Sequence, residues 1–142
     1  FPTRRSSDLL TTEVIKVDDL NLKTENAEFG QYLRSVRQAK KISIRQLAKA
    51  VSKTPTYISD IEKGNNKPPE RELLDRIIAE LHLEEFPDIK NRIYDLAAKE
   101  RKDVPADIKE YLMENESILK IIRTAKESPN EKQIWAKVSQ II

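Results

Sequence analysis

Residues 47–64 read LAKAVSKTPTYISDIEKG, from Leu47 to Gly64, and this stretch decides the fold. Ile44, Leu47, Ala48 and Val51 fall on one helical stripe, and Ser43 ahead of them is an N-cap, its hydroxyl oxygen able to accept from an amide of the first turn. Thr54 followed by Pro55 is the next start signal: a capping hydroxyl, then proline at the first helical position, where the missing N–H costs nothing. The second helix turns Ile58 and Ile61 inward and stops at Gly64, the residue best suited to a left-handed cap. The stretch is therefore a short helix, a turn and a second helix.

Working outward, Phe29, Leu33, Val36 and Arg37 form a stripe at i, i+4, i+7 and i+8, which predicts a preceding helix. Asn65 to Pro69 form a loop, and Glu70 to Leu83 predict a helix that buries Leu73, Leu74, Ile77, Ile78 and Leu81. Asp88 to Lys99 continue with Ile89, Ile93, Leu96 and Ala97 on one face. Val104-Pro105-Ala106-Asp107 opens a further helix bearing Ile108, Tyr111 and Leu112. Asn115 is placed to cap another, with Ile118, Leu119, Ile121, Ile122 and Ala125. Ser128-Pro129-Asn130-Glu131 reads as a capping-box start for a last helix with Ile134, Trp135, Val138, Ile141 and Ile142. No strand pattern intervenes. The pattern predicts an all-α chain, with four or five helices in a domain at 28–86, the five-helix count being that of the family named below, and a short helical extension at 87–142. The extension's stripes most simply mean a packed helical core, its preferred use is self-association, and Trp135 and Ile141-Ile142 are candidate interface residues.

The termini and composition narrow the function. Phe1 to Leu9, FPTRRSSDL, read as the translation of a sequencing-adapter oligonucleotide. Met113 is the only methionine, so translation is expected to begin at a non-AUG codon read here as Leu or Val, or at a start that was lost. Residues 10–27 hold Val14, Ile15 and Val17 without a partner strand and are expected to form a loose arm. The chain has 142 residues, 38% of them hydrophobic, no cysteine and a single histidine, His82. Disulfides and thiolate metal sites are excluded, and one histidine cannot supply a zinc cluster or a catalytic triad with any redundancy. His82 is expected to cap its helix or lie exposed. No apolar run approaches a membrane span. A glycine-rich phosphate loop, metal-ligand spacing and an acid–base carboxylate pair are all missing. The expectation is a soluble, cytoplasmic, non-enzymatic protein with no cofactor.

Net charge is only +2, but it is segregated. Residues 28–68 carry nine basic side chains (Arg34, Arg37, Lys40, Lys41, Arg45, Lys49, Lys53, Lys63, Lys67) against Glu28, Asp60 and Glu62, a balance of +6. Residues 69–142 carry 13 basic and 16 acidic groups, and residues 1–27 carry 4 and 5. A basic block beside an acidic one points to a polyanion-binding head and a tail with another task, although Lys and Arg also solvate helix faces in proteins that bind no polyanion.

From Phe29 to Leu83 the chain resembles the phage-repressor and Cro (lambda-repressor-like) type of helix-turn-helix domain, also called the xenobiotic-response-element type. Leu47-Ala48, Tyr57-Ile58-Ser59, Ile61-Glu62 and Gly64 stand at that family's spacing, and Arg37 stands where the family places the partner of Glu62. The resemblance implies that Ala48 lets two helices approach closely, that Ile58 plugs the core between them, and that Arg37 and Glu62 tie the first helix to the end of the recognition helix rather than touching DNA. Three positions depart from the pattern. Ser52 replaces the usual turn glycine, which would strain a left-handed backbone by about 1 to 2 kcal/mol or force the turn to reshape. Lys53 replaces a small apolar residue, and Ile44 stands where a glutamine that clamps the phosphate backbone is frequent.

A helix whose N-terminus enters the major groove presents its first turn, and the residue one turn later, to base edges. In helix 54–63 these are Pro55, Thr56 and Asp60. Pro55 can pack only on a thymine methyl or sugar, and Thr56 can donate, accept or offer its methyl. Asp60 either accepts from a cytosine amino group or is a solvated residue paired with a lysine. Phosphate anchoring falls to Ser43, Lys53, Thr54, Tyr57, Lys63, Asn65 and Lys67, with Tyr57 equally readable as a packing residue. Arg45 and Ser59 complete the candidate set. The expected function is a dimeric repressor bound to a double-stranded operator. The alternative is an antitoxin-like or adaptor protein whose residues 104–142 hold a protein partner.

Overall fold

Side-chain hydrogen bonds close the starts of two helices, those beginning at Ile44 and Pro55, whereas the helices beginning at Phe29, Arg71, Pro87, Glu116 and Glu131 start without one. The computed structural model describes residues 28–142; the segment 1–9 and the arm 10–27, with Val14, Ile15 and Val17, lie outside the described residues. Among the described residues there are eight helices and no strand: α1 (Phe29–Ala39), α2 (Ile44–Ala50), α3 (Pro55–Lys63), α4 (Arg71–Glu80), α5 (Pro87–Arg101), α6 (Ala106–Glu114), α7 (Glu116–Glu127) and α8 (Glu131–Ile141). They divide into two units, the first ending at Ala106 and the second running from Asp107 to Ile142.

In the first unit the predicted stripes are the buried ones. Phe29, Leu33 and Val36 of α1, Leu47 and Ala48 of α2, and Ile58 and Ile61 of α3 are all closed to solvent, as are Leu74, Ile77 and Ile78 of α4. Leu73 is only half-buried against this core. Tyr32, which the stripe did not include, is fully buried, and burial pushes its phenol up to about 12.

Two contacts fix α1 against α3. Gly30 lies where the helix backbones meet: a Cβ there would stand 2.4 Å from the Ile61 carbonyl oxygen and 2.6 Å from that of Glu62. About two turns further along α1, Arg37 forms a bidentate pair with Glu62, Nε to Oε2 at 2.6 Å and Nη2 to Oε1 at 2.9 Å, while its Nη1 donates to the Ile42 carbonyl at 2.9 Å. Both residues are buried. Two buried charges are tolerable when each polar atom has a partner of matching geometry, and the guanidinium fork meets that condition.

The helices of this unit stop in a repeated way. After α1, α2 and α4 the third amide beyond the helix bonds back to the last turn: Ile42 N to Arg37 O, Lys53 N to Ala48 O, Leu83 N to Ile78 O. The residue before each of these, Lys41, Ser52 and His82, has a positive φ of 57°, 58° and 52°, which is the Schellman closure. Lys102 after α5 has φ 54°. Only α3 ends on glycine, Gly64 at φ 80°. The left-handed turn that Ser52 was expected either to strain or to reshape is therefore kept, strain included. His82 occupies the left-handed position, exposed.

The sequence pattern divides the chain after residue 86, whereas α5 packs into the core of the first unit. Ile89, Ile93, Tyr94, Leu96 and Ala97 share one buried cluster with α1–α4. Glu100 Oε1 accepts from the Phe29 amide at 2.9 Å, giving the start of α1 the partner its own sequence lacks. Arg101 donates to the Pro68 carbonyl at 2.7 Å and to Glu70 at 3.1 Å, and the Tyr94 hydroxyl donates to Asp75. These links join residues far apart in sequence, so periodicity could not reveal them.

The second unit departs further from expectation. α7 and α8 lie where predicted and pack on each other, but neither expected cap forms. The Asn115 side-chain Nδ2 donates to the Tyr111 carbonyl at 2.6 Å, and the Ser128 hydroxyl oxygen accepts from the Asn130 backbone amide at 3.2 Å in place of a capping box. The expected packed core is also not closed within this unit: among its residues only Ala125 is buried, while Ile121 is 61% exposed, Trp135 38% and Ile141 84%.

Three changes test these contacts by chemical denaturation. Gly30→Ala must separate α1 from α3 and should cost about 1 to 3 kcal/mol or more. Glu62→Ala leaves the Arg37 charge buried without its partner and should cost about 3 to 5 kcal/mol. Ser52→Gly should stabilise by up to about 1 kcal/mol, because the backbone conformation is retained and the steric cost is removed.

Candidate nucleic-acid interface

The start of α2 is closed by reciprocal bonds. The Ser43 hydroxyl oxygen accepts from the Gln46 amide at 3.1 Å, and Gln46 Oε1 accepts from the Ser43 amide at 2.8 Å. At the start of α3, Thr54 Oγ1 accepts from the Tyr57 amide at 3.1 Å. A hydroxyl that accepts in its cap keeps its own hydrogen to donate. Ser43 and Thr54 are both exposed, so each serves its helix and still offers a donor to an oxygen from outside.

Burial orients α3. Ile58, Ile61 and Glu62 face inward, Pro55, Thr56 and Lys63 are exposed, and Tyr57, Ser59 and Asp60 are half-buried. Thr56, Asp60 and Lys63 stand at i, i+4 and i+7, so they line one ridge of the helix. The first turn of α3 thus projects Pro55 and Thr56 into solvent, with Asp60 one turn behind them. Asp60 makes no ion pair among the described residues, so the lysine pairing that was the alternative for it is not formed. Tyr57 packs partly against the core, and the Lys53 ammonium lies 5.3 Å from its ring centroid, a cation–π contact that holds Lys53 beside the start of α3.

The loop after Gly64 is anchored at both ends. The Asn65 and Asn66 amides donate to the Asp60 carbonyl at 2.8 and 3.4 Å, and Pro68 and Pro69 are buried beneath the Arg101 bond. Asn65 and Lys67 therefore extend from a fixed backbone into solvent.

Electrostatics sharpen the sequence count. Between residues 43 and 67 the cations are Arg45, Lys49, Lys53, Lys63 and Lys67, all exposed, and the anions are Asp60 and Glu62. Glu62 is cancelled in the core by Arg37, leaving five exposed cations against Asp60 alone. Such a surface attracts a polyanion, and its hydroxyl and amide groups suit phosphate oxygens.

Sequence reasoning passed over two residues here. Gln46 completes the Ser43 cap, and the Ser-x-x-Gln spacing was there to be read. Lys49 lies one turn after Arg45 on α2, exposed on the same face. Gly30 had no local signal, since only the approach of α3 explains it.

Among the described residues no group of three or more metal-binding side chains is placed to hold an ion, and no helix is long and apolar enough to cross a membrane. No curated protein and no solved structure matches the chain. Residues 28–84 match the family model of a helix-turn-helix domain; the regular structure of the described residues is all helical, the chain carries a helix-turn-helix domain, and that domain supports DNA binding.

Proposed function

We propose that this protein is a sequence-specific regulator of transcription that binds double-stranded DNA, a member of the phage-repressor type, with α3 lying in the major groove. The observation that carries the reading is the presentation of α3. Its inner face is locked by Ile58, Ile61 and the Glu62–Arg37 pair, while Pro55 and Thr56 stand free at its start, with exposed cations before and after them in the chain. A helix held this rigidly loses little freedom on entering a groove, which favours specific over loose binding.

Within this reading Thr56 and Asp60 face base edges, and Pro55 rests on a thymine methyl or sugar. Asp60, with no lysine to neutralise it, selects a cytosine amino group and repels sites that offer only acceptors. Ser43, Arg45, Lys53, Thr54, Ser59, Lys63, Asn65 and Lys67 contact or flank the backbone, and Tyr57 steadies Lys53. Few long side chains read bases, so two linked half-sites multiply a modest selectivity; the protein acts as a dimer in the cytoplasm and represses by occupying its operator. A second reading, a partner-binding adaptor of the antitoxin kind, draws on the exposed apolar side chains of residues 107–142.

Selection of bound sequences from a randomised duplex pool should enrich paired half-sites about one helical turn apart, whereas no enriched motif from folded protein would count against the regulator. On the selected duplex Thr56→Ala should weaken binding by about 1 kcal/mol or more and leave random-duplex binding nearly unchanged. Lys67→Ala should weaken both and lower the salt slope by about 1. Equal losses on both duplexes for Thr56→Ala would remove it from the base-reading set.

A further inference from the structure

Two apolar surfaces in the unit Asp107–Ile142 are open to solvent. The first is an apolar groove of about 420 Å³ along α7 and α8, lined by Ile121, Thr124, Ala125 and Ile134 with Ser117 and Lys120 at its polar edge. The second is α6, where Ile108 is 45% exposed and Tyr111 57%. Ile108, Tyr111 and Leu112 form a stripe at i, i+3 and i+4, so α6 is an amphipathic helix without a buried residue.

A unit of this size with one buried side chain has too little core to hold itself together, and its helices need apolar surface from elsewhere. Charge identifies the source. α6 carries Asp107, Glu110 and Glu114 against Lys109, a balance of −2, while α7 and α8 together carry Lys120, Arg123, Lys126, Lys132 and Lys137 against Glu116, Glu127 and Glu131, a balance of +2. An acidic apolar helix and a basic-edged apolar groove are therefore both present, each open, on one chain. The unit as a whole is neutral, so net charge does not oppose pairing with itself.

We propose that the occupant of the α7–α8 groove is α6 of a second copy of this chain. Exchanged reciprocally about a two-fold axis, the contact forms twice, buries both apolar surfaces, and sets acidic α6 of each copy on the basic helices of the other. The proposal rests on the dimeric regulator reading, for which it names the interface.

The test is sedimentation equilibrium of the full chain without DNA, with circular dichroism as the check on helicity. The wild-type chain should be a dimer at tens of micromolar. Glu114→Lys and Lys120→Glu, both exposed, should each raise the dimer Kd by about tenfold or more. An equimolar mixture of the two variants should recover a one-to-one heterodimer through the contact that pairs the reversed charges, and the double variant should recover the homodimer. A monomeric wild-type chain would overturn the proposal and give the face to a different protein. A dimer unmoved by either reversal, or a double variant without recovery, would overturn it as well. Because DNA is absent, dimerisation without any selected operator would sink only the DNA reading, and a selected paired operator bound by a dimer that neither charge reversal weakens would sink only this one.

Discussion

The contact between α1 and α3 is the constraint on which the rest of the structure depends. At one point the backbones meet at Gly30, with no room for a side chain, and at another Arg37 grips Glu62 with both arms of its guanidinium. The first sets the distance between the helices and the second sets the rotation of α3 about its axis. Because Glu62 must face inward to meet Arg37, Thr56 and Asp60 on the other side must face out. A charged pair in the interior is an expensive way to join helices compared with apolar packing, but it has a single low-energy geometry, and a surface that reads base edges needs its side chains held to well under a helical turn.

That same pair shapes the field around the domain. With Glu62 neutralised internally, the stretch from Ser43 to Lys67 presents five cations and one anion to solvent. The attraction this creates for a polyanion is blind to sequence, whereas under the proposed function discrimination would rest on the short side chains of Thr56 and Asp60. Thr54 links the two: its oxygen closes the start of α3, and its remaining hydrogen is free to donate outward.

The two units obey different physics. In the first, α5 supplies Ile93 and Tyr94 to a common core, Glu100 to the start of α1 and Arg101 to the loop before α4, so the domain extends well beyond the helices that define its motif. In the second, the helices are strongly amphipathic and scarcely buried. Apolar stripes read identically in both cases; whether they close on their own chain depends on how many faces the chain brings together. The same stripes therefore predicted a core that the first unit has and the second lacks.

Ser43, Thr54-Pro55 and Gly64 announce their helix ends by chemistry confined to a few neighbouring residues, and the spacing of Leu47, Ile58 and Ile61 states which faces turn inward. Those features, together with the cationic block, were legible in the sequence because each depends only on local backbone sterics and the period of the helix. The failed caps at Asn115 and Ser128 mark the limit of that reading, since a capping side chain chooses among competing carbonyls and amides that only the folded chain positions. Tertiary structure alone decided the role of Gly30, the clamp of Glu100 and Arg101, the membership of α5 and the exposure of Trp135. Each depends on which distant segment lies opposite, and long-range contact leaves no period in the sequence.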